Sequence, residues 1–395
     1  MEKKEKKMKI ALITIHDITN YGTMLQAFAT KEILSRYGEV ETINYFRPRN
    51  YFHPRSFNNR LEVIRFRLNI RNFRSTIRNL RLVKYDISQF KDRSQLIRKF
   101  KKFLKSNLNL TKLVTRHELQ NGVINDFNVY VCGSDQIWSD TLRTNDEKFD
   151  RIYFLSFVSK KAKKISYASS MGECCRFTDS EKAKVKDLLK DFKAISVRES
   201  DAQEMLSPLL EREVFHVLDP TLLLTKEEWF ETLKIDKSYR SIKEDYILVY
   251  QVVAITPLIK EAVEFFVQKF GMKVVFLGHK FESFINEVIH IKDAGPLDFI
   301  ELFANANFVI TDSFHGTCFS VNFKKPFVSV CPVRGANRIE SLLNLLGLEN
   351  RFIDDEKNIH KLSTDFSYEL AEKKLEEERA KSIKFLRSNI EKVNG

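Results

Sequence analysis

Apolar residues fall at two spacings that alternate along most of the chain. Residues 9–15 hold the run Ile10-Ala11-Leu12-Ile13, the length of a short buried strand. A polar turn follows at 16–20. Over 22–36, Leu25, Phe28, Ala29 and Ile33 recur at helical spacing, and Gly38 supplies the stop. Residues 40–46 read as the next strand. This strand–helix–strand opening predicts a doubly wound sheet with a ligand near Asn20-Tyr21-Gly22, where a strand ends and a helix begins. Further strands are expected at 127–131, 164–168, 194–197 and 214–218, with a helix over 180–192. Asp219-Pro220 then turns the chain, and a boundary falls near Leu224 and Thr225.

The alternation restarts with a strand at 246–252, a helix at 257–270 and a strand at 273–277. Pro296 suits the first position of a helix running to Ala304. Phe308-Val309-Ile310 reads as a buried strand, Thr311 to His315 as its polar exit, and Gly316 as the start of a helix. A strand at 327–330, a helix at 339–346 ending at Gly347, and a long charged helix at 368–393 complete the pattern. At 395 residues the chain is long for one core, so two α/β domains are expected, at 1–224 and 225–365. The opening lacks Gly-x-Gly-x-x-Gly, which argues against a dinucleotide-binding dehydrogenase.

Residues 47–118 break the alternation. Leu61, Ile64, Leu68, Ile77, Leu80, Leu96, Phe100 and Phe103 suggest helices with Arg and Lys on the outer face. Charge changes the picture most here. The chain carries +13, yet this segment holds 20 Lys and Arg against Glu62, Asp86, Asp92 and Glu118, a net +16 that leaves the remainder at −3. Basic character therefore belongs to one helical insertion. Two readings stand level: a solvated insertion, and a surface that meets anionic membrane or an anionic lipid-linked glycan. No nucleic-acid-binding motif accompanies the charge.

Composition narrows the rest. No apolar run approaches the ~18 residues of a membrane span. The basic start, Met1 to Lys9, precedes an apolar run too short for a signal peptide, and Met8 would serve equally as a start. Cys132, Cys174, Cys175, Cys318 and Cys331 are odd in number and lack zinc-site spacing, which fits a reduced cytoplasm and no metal.

Five stretches, in order, resemble the polysaccharide pyruvyl transferase family: Asn20-Tyr21-Gly22-Thr23-Met24-Leu25-Gln26, Cys132-Gly133-Ser134-Asp135-Gln136-Ile137-Trp138, Ser196-Val197-Arg198-Glu199-Ser200, Leu218-Asp219-Pro220-Thr221, and Asp312-Ser313-Phe314-His315-Gly316-Thr317. The resemblance implies two Rossmann-like domains facing a cleft, a GT-B-like architecture, with the final helix (366–395) crossing back to the first domain. It also implies transfer of a pyruvyl group from phosphoenolpyruvate to two hydroxyls of a sugar, in a cell-surface polysaccharide or its lipid-linked precursor, to form a cyclic ketal. Such chemistry needs no cofactor.

The residues can be set against that chemistry. Phosphoenolpyruvate carries a phosphate and a carboxylate, which call for guanidinium groups and helix-start N–H donors. Arg198, at a strand exit, is the first anion ligand expected; pairing with Glu199 or Asp201 is the plainer alternative. His315 is the acid/base candidate, since imidazole exchanges protons near neutrality; hydrogen-bonding the donor's phosphate or carboxylate is an equal alternative. Asp312 would orient His315 or cap the helix. Ser313, Gly316 and Thr317 fall on the donor side. Where many family members carry Arg two places before the His, this chain has Ser313, so Arg338, Arg334 or a lysine of the basic segment would supply the missing cation. Asn20, Gly22, Ser134 and Asp135 fall on the acceptor side, with capping an equal alternative for Ser134 and Asp135. Trp138 suits the core better than a sugar platform, and Tyr167 and Ser169 are weaker acceptor contacts. The competing readings are a GT-B glycosyltransferase using a nucleotide sugar, and a non-catalytic binder of anionic glycan.

Overall fold

The computed structural model describes residues 8–16, 19–46, 76–142, 148–252, 255–278, 284, 285, 287–362 and 367–391, with backbone alone at 76–91 and 141. The first half contains β1 (Lys9–Ile13), α1 (Tyr21–Leu34), β2 (Glu39–Thr42), α2 (Thr76–Asn107), α3 (Arg116–Gln120), β3 (Val129–Cys132), β4 (Lys163–Ser166), α4 (Asp179–Leu189), β5 (Ser196–Val197), α5 (Ser200–Leu210), β6 (Phe215–His216) and α6 (Lys226–Leu233). The second contains β7 (Tyr246–Tyr250), α7 (Pro257–Phe270), β8 (Lys273–Leu277), β9 (Val288–Ile291), α8 (Pro296–Asn305), β10 (Phe308–Thr311), α9 (Phe314–Asn322), β11 (Phe327–Val330), α10 (Ala336–Leu346), β12 (Phe352–Ile353), α11 (Glu356–Ile359) and α12 (Glu369–Ile390).

Two parallel sheets result. The first runs β2-β1-β3-β4, and bridges from Ile165 to Ala194 and from Ser169 to Val197 bring the β5–β6 pair alongside β4. The second runs β12-β11-β10-β7-β8-β9. All residues of β3, β7, β10 and β11 are buried. Burial on both faces is what a parallel sheet covered by helices requires, and it explains the unbroken apolar runs. The architecture is two Rossmann-like sheets facing a cleft, GT-B-like, with α2 inserted between β2 and β3. Helix boundaries follow local chemistry. Thr178 and Thr225 form capping boxes with Glu181 and Glu228, and Thr256 caps a helix whose first residue is Pro257.

Helix α12 touches elements of both sheets. Glu372 pairs with Lys324 near its start, and Phe385 packs on Tyr167 and Phe215 near its end. The basic insertion corrects an expectation. Leu96, Phe100 and Phe103 are buried, with Phe100 against Tyr21 and Phe103 against Phe28. Lys99 reaches Asp298 at 2.8 Å, across to α8. These three apolar residues stabilise the packing of α2 and are closed to lipid. Leu61, Ile64 and Leu68, and the side chains of Ile77 and Leu80, lie outside the described residues. Sequence patterning also placed the start of α9 two residues late, at Gly316 instead of Phe314. It gave no sign of β9 or β12, whose two to four residues are too few for a period to register.

Candidate active site

Each sheet has a point where chain order reverses. In the first the chain leaves β1 for β2 and returns on the other side at β3. In the second it leaves β7 for β8 and returns at β10. Ligands of such sheets bind outside the strand ends at these points. Both points open into one cleft of about 410 Å³. Asn20, Thr23 and Asp135 line it from the first sheet; Val252, Asp312, Ser313 and His315 line it from the second. Arg334 and Arg338, from the turn before α10 and its first turn, line its far wall.

Helix α9 aims its N-terminus here. Ser313 is its N-cap, its side chain accepting from the N–H of Gly316 at 3.3 Å. Among the described residues no backbone acceptor meets the N–H groups of Phe314 and His315 in the first turn, so this end of the helix favours an anion. Gly316 is small for a packing reason. A Cβ there would lie 2.2 Å from Thr311 Oγ1, so glycine lets the helix seat against β10. Gly22 plays the matching part from α1: a Cβ there would fall 2.1 Å from His315 Nδ1, and its absence leaves room for the imidazole.

Asp312 is almost buried and its Oδ1 accepts from the N–H of Val252 at 3.0 Å. Burial pushes its carboxyl up to about 6. It has no bond to His315, and Ser313 is the helix cap, so neither role expected for Asp312 is the one it holds. Arg338 is partly buried, with Nε donating to the Gly335 carbonyl at 3.3 Å. Among the described residues no carboxylate lies within ion-pairing distance of it. Burial, then the neighbouring Arg198, lowers its pKa from the arginine value. Its loop is tied to the opposite side, for the Gly335 N–H donates to Glu173 at 2.8 Å and Asn337 to Asp201 at 2.9 Å.

Arg198 is elsewhere. Its side chain is 1% exposed and lies beneath the cleft. Nε donates to Glu199 at 3.0 Å, Nη1 donates to Asp219 at 2.9 Å, and the guanidinium lies 4.1 Å from the Phe314 ring centroid. The strand-exit position was read correctly, but Arg198 pairs with two buried carboxylates, leaves Nη2 without a partner, and is not among the residues that line the cleft. Burial would raise Asp219; His315, Arg198 and Thr221 outweigh it and hold this carboxyl well below the usual range. Its Oδ2 also accepts from Ser134 Oγ at 2.8 Å, and its Oδ1 from the N–H and Oγ1 of Thr221 at 3.0 and 2.6 Å. His315 Nε2 faces Oδ2 at 3.7 Å.

Of the expected residues, the cleft therefore gathers Asn20, Asp135, Asp312, Ser313, His315, Arg334 and Arg338. Ser134 is spent on Asp219, and Thr317 on the Ser313 carbonyl and Ser329. Asp135, at φ 71°, accepts from Thr23 Oγ1 at 2.6 Å. Trp138 is core, stacked on Phe154. Tyr167 and Ser169 are buried on backbone carbonyls. Sequence reasoning treated Asp219 only as a turn residue. Its place in a stretch shared with the resembled family was the one available signal. Among the described residues no group of three or more His, Cys, Asp or Glu side chains is arranged to hold a metal.

The polysaccharide pyruvyl transferase family profile matches residues 20–330. No curated protein matches the sequence significantly. Among solved structures, the S. aureus MnaA–UDP co-structure aligns with a TM-score of 0.50 at 10% identity, covering 90% of this chain and 87% of that one. A UDP-GlcNAc 2-epimerase from Methanocaldococcus jannaschii gives 0.48 at 14% identity, covering 90% of each chain. The UDP-GlcNAc 2-epimerase from Neisseria meningitidis bound to UDP-GlcNAc gives 0.47 at 10% identity, covering 96% and 94%. The S. aureus likeness is one of fold alone.

Proposed function

The chain belongs to the polysaccharide pyruvyl transferase family, and from that premise we propose that it moves a pyruvyl group from phosphoenolpyruvate to two hydroxyls of a sugar, forming a ketal on a cell-surface polysaccharide or its lipid-linked precursor. The observation that carries this reading is that the N-terminus of α9 and Arg338, which has no ion-pair partner among the described residues, line one cleft with His315 and Asp312. The helix end and Arg338 would take the donor's phosphate and carboxylate. Asn20 and Asp135, on the opposite wall, would accept from the hydroxyls of the sugar.

In the reaction, carbon 3 gains a proton and carbon 2 becomes oxocarbenium-like. One hydroxyl attacks carbon 2, the carbon–oxygen bond to phosphate breaks, and the second hydroxyl closes the ketal. The two hydroxyl protons are balanced by one delivered to carbon 3 and one leaving with phosphate. His315 and Asp312 would carry them, so the scheme needs no oxidant and no cofactor. Phosphate release from phosphoenolpyruvate in the presence of glycan acceptors tests it. Stabilisation by a nucleotide sugar but not by phosphoenolpyruvate would favour a glycosyltransferase instead.

The basic insertion would hold the enzyme at the cytoplasmic face of an anionic membrane. Arg98, Lys102 and Lys105 are exposed on the side of α2 opposite Leu96, Phe100 and Phe103, which supports an electrostatic contact without apolar insertion. Among the described residues no helix is long and apolar enough to cross a membrane. Co-sedimentation with anionic but not neutral vesicles, lost at high salt, is the expected result.

A further inference from the structure

We infer that Asp219 is the positioning residue for His315: its carboxylate selects the Nε2–H tautomer of the imidazole, and Nδ1 is left as the atom that exchanges a proton with the substrate. The inference rests on the reading of His315 as acid/base. Three observations carry it. First, Nε2 is sealed from solvent with no hydrogen-bond partner, and the acceptor it faces is Asp219 Oδ2 at 3.7 Å. A buried ring nitrogen without a partner is costly, and an approach of under an ångström would bring this one into hydrogen-bond range. Second, Asp219 is fixed. Ser134, Arg198 and Thr221 donate to its two oxygens, so the carboxylate cannot turn away from the ring. Third, Gly22 lies against the Nδ1 edge of the ring, where a Cβ would fall 2.1 Å from Nδ1, so glycine leaves the ring room in this orientation.

The tautomer follows from the charge. A carboxylate accepts only, so the nitrogen facing it must carry the hydrogen, and in a neutral ring the other nitrogen is then the base. Arg198 completes the arrangement by pairing with Asp219 from below. That pairing keeps the carboxylate ionised, so it holds the ring without taking the proton itself. Arg198 thus reaches the chemistry through Asp219 and His315, which accounts for a motif arginine that does not line the cleft.

Two measurements test this on the full-length protein. The first is a ¹H–¹⁵N correlation through two bonds on protein labelled at histidine, recorded at about pH 9, well above ordinary imidazole titration. The His315 signals are assigned by their loss in His315→Gln. The Nε2–H pattern is expected; an Nδ1–H pattern overturns the inference. This readout needs neither substrate nor turnover, so it stands or falls apart from the assignment of phosphoenolpyruvate. The second is Asp219→Asn. Turnover should fall roughly 10- to 100-fold while KM for phosphoenolpyruvate stays within about threefold, because the variant disturbs the ring and not the anion site. A folded variant with lowered Tm and unchanged turnover would show that Asp219 only holds the fold together, and would overturn the inference. If Asp219→Asn does not fold, the wild-type spectrum decides alone.

Discussion

Beneath His315, Arg198 touches two carboxylates and an aromatic ring and meets no solvent. Above it, Arg338 lines the cleft with its Nε on a backbone carbonyl, and among the described residues no carboxylate lies within ion-pairing distance of it. The two regions use the same side chain for opposite ends. In the floor the charges are paired, with only Arg198 Nη2 and Glu199 Oε2 lacking a hydrogen-bond partner, and the result is a rigid support. In the cleft the charge is unanswered, and the result is a site. A buried charge tells of function only after its partners have been counted. The comparison predicts that damage to the floor appears first as lost stability, and damage to the cleft as lost binding or turnover.

The largest expected effect is in the floor. Arg198→Met leaves Asp219 and Glu199 buried without their cation, and breaking a buried pair in this way costs about 3–5 kcal/mol. Chemical denaturation should show a loss of that size. A variant as stable as wild type would mean that the floor is not the rigid support described, and would return Arg198 to the list of donor ligands.

His315 sits on the border between the two regions. His315→Gln keeps a hydrogen-bonding side chain but cannot exchange a proton near neutrality. Turnover is expected to fall ~10²–10⁴-fold with donor binding little changed. Steady-state phosphate release over a range of phosphoenolpyruvate concentrations separates this from an anion-binding role, in which affinity would fall and saturated turnover would persist.

Much of this was legible in the chain. Apolar runs gave the strand exits, so the residues of the cleft could be named from the positions after 310 and around 20 and 135. What patterning cannot give is the partner of a charge. Arg198 and Asp219 are 21 positions apart, and they meet because β5 and β6 pair in parallel, with Ser196 opposite Phe215. Those strands are two residues long and carry no period. Nor could the pattern show that Leu96, Phe100 and Phe103 of α2 are spent inside the protein, since a core face and a membrane face have the same spacing. Gly22 is the converse case. Its motif marked it, but only its distance to His315 says that it makes room for a ring.

A smaller effect belongs to Asp312, and its sign depends on pH. The carboxyl is pushed up to about 6 in the folded protein by burial, against about 3.9 in an unfolded chain. As pH rises through this interval the unfolded chain loses its proton first, so the fold loses stability between about pH 4 and 6 and the deficit stays above that. Asp312→Asn removes the titrating group. Its Tm should therefore exceed wild type at pH 8 and match it more closely at pH 4. The same difference at both pH values would mean that Asp312 is not a buried acid of the cleft.

The smallest effect is the one that sharpens the contrast between the two arginines. Among the described residues no carboxylate lies within ion-pairing distance of Arg338, so removing it breaks no ion pair. Arg338→Ala should leave Tm within about a degree or two of wild type, as substitutions clear of packed or paired groups do. Its loss should appear only with ligand. A charge-assisted contact from a guanidinium to an anion is worth about 1.5–3 kcal/mol, which is roughly 10- to 100-fold in affinity. The stabilisation of wild type by phosphoenolpyruvate should shrink accordingly, and Arg338→Lys should restore part of it, because the charge returns without the two-pronged geometry. Thermal shift over a ligand titration measures all three proteins side by side. Arg338→Ala with an undiminished phosphoenolpyruvate shift would take the donor away from this wall of the cleft and leave the α9 N-terminus as its remaining anchor.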